Sequence, residues 1–303
     1  MAGGGLGLLV WLERGRFTVT SSKLLSLDTL KAQVKKEQQQ AAAQGQIATS
    51  RIHVVPSDGR MQILMTTPDQ ENQLGLSSYK QILAQNKLCT DPNVTDIINR
   101  VGWRLAAVAP ANNFNWQFNT LSSPTVNAFC LPGGEVAVYT GILPWCQNEA
   151  ALATVMGHEI AHAIARHGGE RMAETGVVQG VETEFSKMLS GLGLSSLQGS
   201  ALSAFGYASQ LGLIWPFSRM QETEADDMGI GYMAAAGYDP NEAISFWKRM
   251  QAATDTGKSS LLSDHPASAD RMQDLENKLD DAMALYEASS KFGAGDDLPQ
   301  AVC

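Results

Sequence analysis

Long hydrophobic runs are absent from this sequence of 303 residues. The apolar stretch near its start, Leu6 to Trp11, is far too short to cross a bilayer, for which a helix needs about 20 apolar residues. It also lacks a clear charged region and a clean small-residue cleavage site, so it is not a convincing signal peptide, although a trimmed signal or a lost anchor would leave such a remnant. We therefore expect a soluble domain, or one attached to a membrane only at its edge.

Positive charge is scarce as well. The chain has 22 Lys and Arg residues against 31 Asp and Glu residues, which gives a formal net charge of -9. Binding to a nucleic-acid backbone requires clustered Lys and Arg, and the sequence contains no basic patch of that kind. Nucleic acid is therefore not expected as a partner. With 44% hydrophobic and 17% charged residues, most of the chain has the composition of a globular protein.

Cysteine is sparse and is not paired in sequence. The four cysteines do not form a C-x-x-C motif; they are Cys89, Cys130, Cys146 and Cys303. This spacing argues against a thioredoxin-type motif and against a zinc site made of thiolates. Buried free thiols and a single disulfide remain equally compatible with it, so an oxidising compartment is allowed but not indicated.

The hydrophobic periodicity predicts an α+β fold that is mainly helical, with a small β-sheet just before a buried helix. Four segments are expected: an irregular segment over residues 1–22, a helical arm and a short hairpin over 23–75, a large domain over 76–290, and a disordered tail over 291–303. The sheet is predicted from three short strands, over residues 116–121, 126–131 and 135–140. The helix after it is predicted to begin near Asn148 and to end at Gly168 and Gly169.

One motif in that helix carries chemistry. His158-Glu159-Ile160-Ala161-His162 has the pattern H-E-x-x-H. Positions i and i+4 share a helix face, so the two imidazoles can converge on one zinc ion. Glu159 lies one residue round the helix, where its carboxylate can take a proton from a water that attacks a carbonyl. The alternative is a pair of unrelated surface histidines, against which the apolar residues around the motif argue.

A catalytic zinc usually takes three protein ligands, and a later acidic helix offers the best third one. Glu222 and Asp226 share a face at i and i+4, whereas Glu224 points about 200° away from Glu222. We therefore predict Glu222 as a ligand, Asp226 as the acceptor of a hydrogen bond from a ligating histidine, and Glu224 as independent of the metal. An ordinary solvated acidic face is the alternative. His167, just before the predicted helix end, is expected to be solvated or to cap the helix.

Four motifs in order extend this pattern: VNAFCLPGGEVAVYTGIL, HEIAHAIARH, SRMQETEAD and DHPASADRM. Together they resemble the metallopeptidase family of the CAAX prenyl protease and HtpX, and within it the soluble periplasmic members of the BepA and LoiP type and a related mitochondrial protease. The resemblance covers about residues 76–275. It implies a gluzincin-like fold and one Zn2+ per chain, held by His158, His162 and Glu222.

The same resemblance places the family's H-P-x-x-x-x-R element on His265, Pro266 and Arg271, near the cleft. We predict that His265 and Arg271 serve the reaction, since an imidazole and a guanidinium can stabilise an oxyanion. In a variant of this hypothesis, His265 swings onto the zinc and blocks it. The structural alternative is that His265 caps backbone groups and that Arg271 pairs with Asp226 or another acid.

The sequence therefore predicts a zinc metalloendopeptidase that acts on protein or peptide substrates, with Glu159 as its base. The resemblance further implies misfolded or misassembled envelope proteins as substrates, a bacterial periplasmic location with peripheral membrane attachment, and contact with outer-membrane assembly machinery. A zinc-stabilised chaperone or assembly factor is the alternative, although a purely structural zinc has no use for Glu159. The strand over 135–140 is either a substrate-binding edge or a core strand, and residues 176–214 either form a lid or an ordinary pair of poorly ordered helices.

Overall fold

A computed structural model describes residues 10–12, 16–18, 52–64, 66–110, 114–171, 217–254, 261, 265, 268–299 and 303. The predicted helical arm, the segment over 176–214 and Pro266 lie outside these residues. Helices dominate the described part. In chain order they are α1 (Pro68–Gln85), α2 (Pro92–Val108), α3 (Leu143–Cys146), α4 (Glu149–Ile164), α5 (Arg219–Ala235), α6 (Asn241–Thr254) and α7 (Ala269–Ala288). None of the described helices is long and apolar enough to cross a membrane.

The strands form three small sheets within the described residues. Two are antiparallel pairs, β1 (Val10–Leu12) with β2 (Arg16–Thr18) and β3 (Ile52–Val54) with β4 (Met61–Ile63). The third contains β5 (Gln117–Leu121), β6 (Ala128–Leu131) and β7 (Glu135–Tyr139). The mainly helical α+β fold predicted from the sequence is confirmed, and so is the hairpin of β3 and β4.

Local signals explain where the first long helices begin. Thr67 and Gln70 form a reciprocal capping box at the start of α1, so this helix begins at Pro68, within the segment predicted to hold only the arm and the hairpin. Asp91 accepts a hydrogen bond from the backbone N–H of Asn93, and Pro92 occupies the first turn of α2.

The three-stranded sheet has β7 in its centre. β5 pairs with β7 in parallel and β6 pairs with it antiparallel, so the strand order is β5-β7-β6. The interpretation of β7, predicted over residues 135–140, as a substrate-binding edge is therefore wrong, because both of its sides are already hydrogen-bonded. β6 is an edge strand of this sheet, and it packs against α4. Between β6 and β7, Gly133 and Gly134 both have positive φ, which glycine adopts without steric cost.

Helix α4 lies in the middle of the core and is buried along its whole length. It packs against α5, which in turn packs against α7. The crossing of α4 and α5 is close because both helices carry a glycine there: a Cβ added to Gly157 would lie 3.0 Å from the carbonyl oxygen of Gly229. This crossing sets the spacing between the two helices that carry the predicted zinc ligands.

The C-terminal residues that the structure describes are packed against the domain, so the prediction of a disordered tail is wrong for residues 291–299. Gly293 pairs with Tyr238, Asp297 pairs with Asn148, and Leu298 is buried. Further along, Cys303 forms a disulfide with Cys89, while Cys130 and Cys146 are free and buried. The tail is ordered because its backbone hydrogen bonds and one apolar side chain find partners on α4 and the turn after α5.

Candidate metal centre

The predicted ligands meet between α4 and the start of α5. Asn148 caps α4 by accepting from the N–H of Ala151, and Ser218 caps α5 in a capping box with Gln221. Within the described residues, four ligand atoms lie within 4.8 Å of one another, from His158, His162, Glu222 and His265. All four side chains are buried. Capping fixes where each helix begins, and hence which face of it presents these groups to the other.

The donor set suits zinc. The Nε2 atoms of His158 and His162 are 3.0 Å apart, and the Glu222 oxygens lie 3.5 Å from the first and 3.4 Å from the second. Zinc bonds of about 2.0–2.1 Å in tetrahedral geometry place ligand atoms roughly 3.3–3.5 Å apart. Burial lowers the pKa of His162 well below 6.5, so its imidazole is neutral and offers a lone pair. Two imidazoles and one carboxylate are a common catalytic zinc set.

Carboxylates on α5 surround His158. Its Nδ1 lies 2.9 Å from Oδ1 of Asp226, as the helix-face argument predicted. Burial lowers the pKa of His158, but Asp226 and Glu222 outweigh burial and raise the pKa to about 10. The same negative charges that attract a proton to this ring favour a cation beside it.

Arg271 connects the two acidic groups. Its Nε lies 2.7 Å from Asp226 Oδ2, and its Nη1 lies 2.7 Å from Glu222 Oε2. This pairing is the structural alternative considered for Arg271, and it favours an anchoring role over stabilisation of an oxyanion. Burial opposes the charge of Arg271, but the two carboxylates raise its pKa above the ordinary value.

His265 lies closer to the ligand group than predicted. Its Nδ1 is 2.9 Å from Glu222 Oε1 and 3.2 Å from Nε2 of His158, and its Nε2 is 3.3 Å from Oε1 of Glu159. One ring nitrogen therefore faces the ligand atoms and the other faces the predicted base. The arrangement places His265 where it can act as a further ligand.

The prediction for His167 is wrong. The side chain is fully buried, and its two ring nitrogens lie 2.9 Å from Nδ1 of His162 and 2.8 Å from Oε2 of Glu224. Helix α4 ends at Ile164 rather than at the glycines, and Arg166 has φ of 56°, which turns the chain back. A helical projection through position 167 missed this contact because it assumed that the helix continues.

Glu224 is connected to the site even though it lies off the ligand face. Besides His167, it accepts two hydrogen bonds from Arg60, at 2.6 and 2.9 Å. Burial raises the pKa of Glu224, but the opposing effect of His167 and Arg60 is larger and lowers the pKa from 4.5 to about 2. Glu224 is not among the four grouped ligand residues, so its predicted independence of the metal stays a prediction, but its contact with His167 connects it to His162. The sequence pattern could not reveal the contact between Arg60 and Glu224, since 164 residues separate them and only the folded hairpin brings them together.

A model of peptidase family M48 matches residues 91–279, which include every predicted site residue. The chain belongs to peptidase family M48. It is accordingly a zinc-dependent metallopeptidase, and the four residues grouped at the crossing of α4 and α5 provide the place where such an ion fits. The resemblance stated from the four motifs is confirmed.

Relatives of this M48 chain come from mitochondria and from bacteria. It is 35% identical over 249 residues to the mitochondrial metalloendopeptidase OMA1 of Schizosaccharomyces pombe, which covers 80% of this chain and 71% of the relative. The Saccharomyces cerevisiae enzyme of that name is 34% identical over 61% of this chain and 53% of its own length. The beta-barrel assembly-enhancing protease of Escherichia coli is 28% identical, over 73% of this chain and 46% of its own length. The chain thus spans about half the length of the last two.

Proposed function

We propose that this M48 peptidase is an endopeptidase in which His158, His162 and Glu222 hold the zinc and Glu159 is the general base. The observation that carries the proposal is the buried convergence of two imidazoles and one carboxylate, with a second carboxylate at its border. Glu159 is only 4% exposed, so a charge on it is available to the site rather than to bulk water. A purely structural zinc site has no need of such a group.

Zinc bound at this position supplies a Lewis acid, which lowers the pKa of a neighbouring water and polarises the scissile carbonyl. Glu159 takes the proton from that water as it attacks and then delivers it to the leaving amine. Asp226 lies 2.9 Å from Nδ1 of His158, so its negative charge favours the proton on that nitrogen and leaves the Nε2 lone pair for the metal. Arg271 holds Asp226 and Glu222 in place, because its guanidinium spans both carboxylates.

The substrate backbone adds to the edge of the sheet at β6. β6 is one of the two outer strands of the described sheet and packs against α4, whereas β7 is central. An extended peptide pairs with an exposed edge through main-chain hydrogen bonds, independently of its sequence. Placement beside β6 brings such a peptide alongside the helix that carries Glu159, which suits an enzyme with many protein substrates.

The substrates proposed are misfolded or misassembled envelope proteins, and the location proposed is the bacterial periplasm with peripheral membrane attachment. The name of the bacterial relatives supports a role beside the machinery of outer-membrane β-barrel assembly, while the fungal and plant relatives make mitochondria the competing location. The Cys89–Cys303 disulfide supports an oxidising compartment such as the periplasm. Fractionation of the native organism separates the two locations.

The test is Glu159→Gln, assayed on an unfolded protein such as casein, with zinc content measured on the same sample. The amide is isosteric but cannot accept the proton, so zinc stays bound while cleavage falls by about 10²-fold or more. Glu276→Gln, at an exposed glutamate paired with Lys248, is the matched control and keeps full activity. Full activity of Glu159→Gln contradicts the assignment of the base. A wild-type protein that binds zinc but never cleaves, with or without chelator, supports the chaperone alternative.

A further inference from the structure

The two histidines of the H-E-x-x-H motif are held in different ways. Nδ1 of His158 faces a carboxylate directly, at 2.9 Å from Asp226. Nδ1 of His162 instead faces another imidazole, at 2.9 Å from Nδ1 of His167, and Nε2 of His167 lies 2.8 Å from Glu224. All of these side chains are buried. The second ring therefore reaches its carboxylate through an intervening histidine.

This arrangement determines where the protons sit. An ionised carboxylate only accepts, so Glu224 places a proton on Nε2 of His167. The two Nδ1 atoms face each other and share one proton. If His162 donates the shared proton, its Nε2 carries a free lone pair directed at His158 and Glu222. If His167 donates the shared proton instead, a neutral His162 carries its own proton on Nε2, where that proton blocks the metal.

We propose that His167 and Glu224 are positioning residues that hold His162 as the tautomer protonated on Nδ1, and that Arg60 extends this chain to the β3–β4 hairpin. The proposal rests on the assignment of His162 as a zinc ligand. We call Arg60, Glu224 and His167 the hairpin relay. The relay reaches the zinc-ligand atoms through His162, whose Nδ1 lies 2.9 Å from Nδ1 of His167.

The hairpin end of the relay is firmly attached. Arg60 donates to both Glu224 oxygens and also pairs with Glu170. Glu170 in turn accepts hydrogen bonds from Gln62 of β4 at 2.9 Å and from Gln221 of α5 at 2.8 Å. Arg60 lies outside residues 91–279, which match the M48 model. A segment before the matched domain thus helps to set the geometry of a metal ligand.

The decisive comparison uses His167→Asn and His167→Leu, two side chains with the same branched shape and the same number of heavy atoms. The Asn oxygen can take the place of Nδ1 and accept from His162, whereas Leu offers no acceptor. We expect His167→Leu to weaken zinc binding by about 10- to 100-fold, measured by chelator competition, and His167→Asn to restore most of the affinity. If His167 only fills space, the order reverses, because Leu suits a buried site better than Asn does.

A direct reading of the tautomer needs no variant. Long-range ¹H–¹⁵N correlation spectra of the metal-free wild-type protein should show His162 protonated on Nδ1 and unprotonated on Nε2. The opposite tautomer overturns the proposal even if the His167 variants fail to fold. In His167→Leu we expect the His162 nitrogen signals to shift toward a mixture of tautomers.

The hairpin is tested by Arg60→Met against Arg100→Met. Arg100 pairs with the buried Glu149 at the start of α4, away from the zinc ligands. Arg100→Met therefore controls for the general cost of breaking an ion pair with a buried carboxylate. We expect Arg60→Met to weaken zinc binding several-fold and Arg100→Met to leave it unchanged. Equal zinc affinities in both variants overturn the role of the hairpin. Unchanged affinity in His162→Ala instead removes the ligand assignment, so failure of the proposed site is distinguishable from failure of the relay.

Discussion

At the scale of single residues, His265 shows how position and role separate. The sequence placed it near the cleft but outside the resting ligand set. The structure places its Nδ1 2.9 Å from Glu222 Oε1 and its Nε2 3.3 Å from Glu159. From there the ring can occupy a position that water needs and can also engage the base. This geometry favours the hypothesis in which His265 restrains the enzyme over a role in stabilising the oxyanion.

We therefore predict that His265→Ala increases proteolysis while zinc content stays near that of the wild type. His158, His162 and Glu222 remain as ligands, and removal of the ring opens the fourth position. The measurement is steady-state kinetics with metal analysis on the same samples. A loss of turnover at full zinc would instead support a role for His265 in the transition state.

Arg271→Ala, which removes the anchor of two carboxylates, should lower zinc content as well as turnover.

Glu135 provides a test that is independent of the metal. Its side chain is 1% exposed, and burial raises its pKa from 4.5 to about 8. Because the folded-state pKa lies above the unfolded one, ionisation of Glu135 opposes folding. The penalty is absent below about pH 4.5, grows as the pH rises, and is complete above about pH 8.

We predict that Glu135→Gln removes this part of the pH dependence. At pH 8 and above, the variant should be more stable than the wild type by up to a few kcal/mol, since each unit of pKa shift corresponds to about 1.4 kcal/mol. At pH 5 the two should differ little. Urea unfolding of both proteins between pH 5 and 8.5 provides the comparison. Parallel curves over this range would show that Glu135 is not the group responsible.

At the scale of elements, the crossing of α4 and α5 determines whether a metal site exists. A Cβ at Gly229 would lie 2.9 Å from the backbone nitrogen of His158 and 3.0 Å from its Cα. Backbone atoms cannot rotate away, so the helices would have to separate. His158 lies on one helix and Glu222 on the other, and even a small separation lengthens one of the zinc bonds.

We predict that Gly229→Ala lowers zinc affinity and costs about 1–3 kcal/mol of stability through overpacking, partly offset by the better helix propensity of Ala. Gly102→Ala is the matched control, because it is also a buried helical glycine but its nearest neighbours are ring atoms of Phe118. It should lower stability without changing zinc affinity. Chelator competition and thermal unfolding of both variants test the pair, and wild-type zinc affinity in Gly229→Ala would contradict the prediction.

At the scale of the whole molecule, the C-terminal end is linked covalently to the residues just before α2. The Cys89–Cys303 disulfide joins positions 214 residues apart. Such a cross-link restricts the unfolded chain and typically contributes about 2–4 kcal/mol. It also retains the end of a tail whose Leu298 is buried against the domain.

We predict that Cys303→Ser lowers Tm by roughly 5–10 °C and that the variant no longer responds to reductant. The wild type treated with reductant should unfold at the temperature of the variant. Cys146→Ser, at a buried free cysteine, is the control and should keep its sensitivity to reductant. Calorimetry with and without reductant measures both effects. A wild type that is indifferent to reductant would show that the disulfide contributes nothing to stability.

The sequence by itself determined the parts that depend on local spacing. The i, i+4 spacing placed His158 and His162 on one face, and Glu222 and Asp226 on another, because a helix has a fixed period. Caps at Asn148 and Ser218 fixed where those helices begin. The order of four motifs was enough to indicate the family, and hence the fold class and the metal.

Only the tertiary structure decided the features that depend on long-range contacts or on a break in the local period. Three predictions failed for this reason. β7 is central because β5 pairs with it directly, although β6 lies between them in the sequence. Residues 291–299 are ordered because α4 offers them partners, and His167 is buried because the chain turns at Arg166. Arg60 and Glu224 are 164 residues apart, and no periodicity connects them. Helix spacing defines which side chains share a face, but the packing of other elements defines what that face contacts.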